Sequence, residues 1–109
     1  MTEWTEYKPP SRNWLENTEL SKRKLGKARN EMSMAIIYSM KLDETDINKS
    51  LDIADEVIGK GKILENRLLG QVLHLRTFIL TTLSHKRRPV RVVRRWDRRM
   101  AQALPNRDE

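Results

Sequence analysis

Residues 68–83 read LLGQVLHLRTFILTTL. Leu68, Val72, Leu75 and Ile79 recur at steps of four, three and four, and Leu64 extends the series backwards. That spacing places them on one face of an α-helix. Leu69, Leu73, Leu80 and Leu83 form a second stripe beside the first, interrupted by Arg76. Two neighbouring stripes make a broad apolar face, so residues 62–85 are expected to form the central core helix. The segment falls short of the ~20 apolar residues that cross a bilayer, and His74 and Arg76 break it, so no membrane span is expected.

The flanking segments continue the helical reading. Upstream, Ile47, Leu51, Ala54 and Ile58 also step by four, three and four. Asp43 or Thr45 suits the N-cap of that helix, and Gly59 and Gly61 around Lys60 suit its end. Further upstream, Trp14, Leu25, Ala28, Met32, Ala35, Ile36 and Met40 mark one face of a helix over residues 11–41, with Gly26 a weak point. Downstream, Pro89 fits the first turn of a last helix that reaches Leu104 and is stopped by Pro105. Residues 1–10, closed by Pro9 and Pro10, read as an irregular arm, and residues 105–109 as a frayed tail. The expected fold is all-α: a single domain over residues 11–104, built as a small bundle of three to four helices.

A chain of 109 residues can bury one modest core. Lys and Arg total 22 against 15 Asp and Glu, a formal charge of +7, which predicts attraction to nucleic acid, anionic lipid or an acidic protein. Cysteine is absent, which excludes disulfides, thiolate metal sites and a cysteine nucleophile. The opening MTEWTEYKPPSRNW has no apolar leader, and with the missing cysteines this suggests a cytoplasmic or other reducing intracellular compartment.

Catalytic signals are missing as well. The acidic run from Asp43 to Glu56 lacks the spacing of a calcium loop. It reads as a solvated face, or as a strip that meets basic residues of another subunit or shields the chain's own basic helix. Neither His74 nor His85 has a metal-ligand spacing; His74 reads as a hydrogen-bonded histidine of the core or its rim. No glycine-rich phosphate loop or Ser/His/Asp motif is present, so no metal, cofactor or enzymatic activity is expected.

The strongest functional signal is KRRPVRVVRRWDRRM, residues 86–100. At about 100° per residue, Arg91, Arg94, Arg95, Arg98 and Arg99 fall within an arc of about 140°. Val92, Val93, Trp96, Met100, Ala103 and Leu104 fill much of the other side, with Asp97 near its edge and placed to pair with Arg94 or another helix. Guanidinium groups bind phosphate with two parallel hydrogen bonds, and an arginine-rich helix can engage DNA or RNA. The leading expectation is therefore a small non-enzymatic protein that binds nucleic acid. Its contacts would be Arg87, Arg88, Arg91, Arg94, Arg95, Arg98 and Arg99, with Lys22, Arg23, Lys24 and Lys27 as auxiliary phosphate contacts.

Two alternatives stand beside it. The first is a protein–protein modulator acting on a larger nucleic-acid-handling machine, with Trp4, Tyr7, Trp14 and Trp96 as contact residues. Small basic helical chains of this composition are common among phage and viral accessory proteins. The second is a structural homo-oligomer, because the broad face of residues 64–83 can exceed what one chain covers.

Overall fold

The computed structural model describes residues 12–61 and 65–103, with side chains described over 22–61 and 65–102. These residues form four helices and no strand: α1 Arg12–Met40, α2 Glu44–Gly59, α3 Asn66–Thr82 and α4 Arg87–Ala103. The protein is a small all-α bundle whose last helix is amphipathic and rich in arginine. The proposed arm, the proposed tail, Trp4, Tyr7, Leu64 and Leu104 lie outside the described residues.

Local chemistry sets the helix ends. Asp43 caps α2 from an extended backbone (φ −83°, ψ 138°), its Oδ2 accepting from the amides of Thr45 and Asp46 at 3.1 and 3.4 Å. Glu65 caps α3 in the same way, accepting from Arg67 N at 3.0 Å and Leu68 N at 2.9 Å. Both carboxylates satisfy first-turn donors at the positive end of a helix dipole. Gly61 follows the C-cap Lys60 with φ 72°, a left-handed conformation that a Cβ would strain. Leu42 occupies the same region after α1, with φ 60° and no such freedom.

The connections are short, residues 41–43, 60–65 and 83–86. The first and last fold α1 with α2, and α3 with α4, into antiparallel hairpins. The hairpins face each other so that α1 packs on α2 and α3, and α4 on α2 and α3. Side-chain pairs establish direction: Glu65 meets Arg29 while Gln71 meets Ser33, and Arg88 meets Asn48 while Arg95 meets Asp55. Helices α1 and α3 therefore run parallel, as do α2 and α4.

The core fills the space between these four helices. Leu68, Val72, Leu75, Ile79 and Leu83 of the α3 segment are buried against Met32, Leu51, Val57, Val93 and Trp96, among others. Each such side chain contributes about 1.5–3 kcal/mol on burial, so packing outweighs intrinsic propensity in holding α3.

Several expectations are corrected. The second stripe of α3 is incompletely covered: Leu69 and Leu80 are half-buried, and Leu73 is 44% exposed. His74 is exposed, not a core or rim residue, because residues 73 and 74 fall on the turn between the inward Val72 and Leu75. On α1 the buried series is Ala28, Met32, Ala35 and Ser39, while Met40 is 62% exposed. Ser39 takes the core position by donating its Oγ proton to Ile36 O at 2.6 Å. Helix α1 passes through Gly26 without a break, and α4 starts at Arg87, two residues before Pro89.

Candidate nucleic-acid interface

The chain builds α4 with two unlike faces. Val92, Val93, Trp96 and Met100 are buried, while Arg91, Arg94, Arg98 and Arg99 are exposed. Pro89 is buried in the first turn, where its missing N–H costs no helical hydrogen bond. Anchoring the apolar side in the core fixes the rotation of the helix and turns the arginines outward.

The fold neutralises part of the expected cationic set. Arg88 donates to Asn48 and, at 2.8 Å, to Asp52, while Arg95 donates to Asp55. Trp96 donates its indole N–H to the other oxygen of Asp55 at 2.7 Å. The half-buried Asp55 thus braces α4, while Asp52 reaches Arg88 from a face that stays exposed to solvent, so the acidic strip both faces solvent and shields the chain's own basic helix. Trp96 is fully buried and presents no surface to a partner. Trp14 lies on α1 before the described side chains.

A register of forty residues underlies these contacts. Asn48, Asp55 and Gly59 on α2 stand opposite Arg88, Arg95 and Arg99 on α4. At Gly59 an added Cβ would lie 3.1 Å from Arg99 Nη1, so that guanidinium rests on the last turn of α2, the negative end of its dipole. Asn48, Asp52 and Asp55 each follow a core residue (Ile47, Leu51, Ala54) by one position. This flanking polar stripe was the signal in the sequence for an arginine-bearing neighbour.

On the opposite edge of α4, Asp97 accepts from Arg76 Nε at 2.7 Å and Nη2 at 3.0 Å. Of the two partners expected for Asp97, the other helix is the one used. The Arg76 hydrogen bonds hold the Asp97 carboxyl below the usual aspartate range, and the Asp97 carboxylate raises Arg76 in turn.

What remains outward is arginine without a carboxylate. No ion pair engages Arg87, Arg91, Arg94, Arg98 or Arg99 among the described residues. Lys22, Arg23, Lys24 and Lys27 are exposed on α1. Lys24 and Lys27 share a cleft with Glu31 and with Lys60, a cation that sequence reading did not assign to the site. No group of three or more His, Cys, Asp or Glu is placed to hold a metal ion among the described residues. No helix there is long and apolar enough to cross a membrane.

No protein-family model matches the chain, and no curated protein or solved structure is detectably similar to it. Any functional assignment therefore rests on the geometry of α4 and its surroundings.

Proposed function

We propose that the protein is a small, non-enzymatic nucleic-acid-binding module that grips phosphate through the outer face of α4. The observation that carries this reading is the row Arg91, Arg94, Arg98 and Arg99, exposed on one side of a helix whose other side is locked in the core. Like charges held in a row repel one another unless a polyanion lies against them. The only aromatic residue of α4, Trp96, is buried, so the face offers guanidinium groups and no aromatic ring for bases to stack on. Binding is then dominated by phosphate contacts, with weak sequence preference and strong salt dependence.

The test is a binding titration across salt concentrations. Replacing Arg91, Arg94 and Arg98 together by Gln should flatten the log–log salt slope by about 2 to 3, from about 0.7–0.9 per lost phosphate contact. Gln preserves helix propensity, so the bundle should remain folded. An unchanged slope and affinity would exclude the assignment.

A second reading, a protein-binding modulator, has its own support at the end of α1. Met34, Ile37, Met40 and Leu42 are all more than two-fifths exposed, and Leu42 sits in a left-handed backbone region that leucine disfavours. Capture of a partner that survives nuclease and high salt, and is lost on replacing Ile37 and Met40 by Ser, would favour it. The homo-oligomer reading, supported by the partly exposed Leu73, would be removed by a strictly monomeric mass in light scattering.

A further inference from the structure

The turn between α3 and α4 forms a cleft of about 340 Å³. Seven residues line it, and five of them are basic: His85, Lys86, Arg87, Arg91 and Arg94. None is acidic. From this convergence we infer that the cleft is a receptor for a terminal phosphomonoester, the phosphorylated end of a nucleic-acid strand that lies along α4. The inference rests on the nucleic-acid reading above and specifies which part of the strand that site would select.

Three observations support it. First, the distribution of ion pairs is selective. The fold gives Arg88 and Arg95 carboxylate partners on α2, and neither lines this cleft. None of the five basic side chains that do line it has an ion pair among the described residues. An acid, Glu44, lines the adjoining cleft, which Lys86 and Arg87 also border. Concentrating cations in a concavity without a carboxylate costs self-repulsion that a bound anion relieves.

Second, the cleft stands at the end of the arginine row. Arg91 and Arg94 belong both to the outer face of α4 and to the cleft wall. Ser84, His85 and Lys86 of the turn also line it, and α4 with its arginines begins there, at Arg87. A strand following Arg98, Arg94 and Arg91 reaches Arg91 in this wall about 12 Å after Arg99, at about 1.5 Å per residue. An internal phosphodiester would need the strand to continue past it; a strand end would not.

Third, charge matches. A phosphomonoester carries about −1.5 to −2 at neutral pH, more than the single charge of a phosphodiester, and offers three acceptor oxygens. Multiple arginines and a lysine around one group suit that dianion.

The experiment compares one oligonucleotide sequence bearing a 5′-phosphate, a 3′-phosphate or only hydroxyl ends, bound to the full chain. One phosphorylated form should bind about tenfold tighter than the hydroxyl form, the gain expected from one added charge-assisted contact. Inorganic phosphate should erode that preference more than chloride at equal ionic strength. Replacing His85 and Lys86 by Gln should bring the ratio close to one, whereas Arg98→Gln should weaken both forms alike and keep the ratio. Equal binding of all three forms by the wild-type chain, with a steep salt slope, would overturn the end-receptor and leave the nucleic-acid reading standing. Failure of every form to bind would overturn both, and the wild-type comparison decides even where a variant does not fold.

Discussion

Single carboxylates decide how this bundle is fastened, and each does more than one job. Glu65 caps α3 and also accepts from Arg29 Nε at 3.0 Å. The Arg29 hydrogen bond, aided by the two backbone amides and opposed by partial burial, lowers its carboxyl from 4.5 to about 2. A folded-state value below the unfolded one stabilises the protein above pH 4.5 and is lost as pH falls through about 2. Asp97, lowered by Arg76, acts in the same direction. Glu65→Gln should therefore melt lower than wild type at neutral pH, with the gap closing between pH 4.5 and about 2 in thermal melts; a gap independent of pH would contradict the pairing. Asp55 receives both Arg95 and the buried indole of Trp96. Asp55→Ala leaves that N–H without a partner and should cost about 1–3 kcal/mol by chemical denaturation.

At the scale of the element, the helices were the most legible feature. Steps of three and four located the first three and the prolines with the two-sided wheel located the last, and Ile47, Leu51, Ala54, Ile58, Leu68, Val72, Leu75 and Ile79 all proved buried. Misreadings fell where neighbours on the wheel compete. Met40 is more apolar than Ser39, yet the buried series on α1 steps through residue 39, where the serine satisfies itself on Ile36. Gly26 was read as a weak point, but a glycine costs only about 1 kcal/mol in a helix, which the packing of α1 on α2 and α3 can absorb. A Cβ added at Gly26 or at Gly70 would meet nothing within 4 Å. Gly26→Ala and Gly70→Ala should each stabilise the protein by about 1 kcal/mol, seen as a rise in Tm of about 4–8 °C. The two sites are on different helices, so the gains should add.

For the molecule as a whole, the pairing of α2 with α4 sets how much positive charge faces outward. Asp52 holds Arg88 at 2.8 Å on the exposed seam between them. An exposed pair of this kind is worth about 0–1 kcal/mol, so removing it should leave the fold intact. Asp52→Asn deletes one negative charge and releases Arg88, and should raise polyanion affinity and steepen its salt dependence, read in the same titration as the arginine variants. Unchanged binding would mean that a polyanion does not reach this edge of α4.

Sequence alone determined the helical class, a bundle of three to four helices, most of their inward stripes and the two-sided character of the last one. These follow from periodicity and turn chemistry, which act within a few residues. Only the tertiary structure decided which cations remain outward. Arg88 and Arg95 are the same residue type as Arg91, Arg94 and Arg98, and differ because α2 runs parallel to α4 with its carboxylates thirty-six and forty residues upstream. A charge is spent or left available according to what packs beside it, and that partner was set by the crossing of two hairpins, which no local pattern encodes.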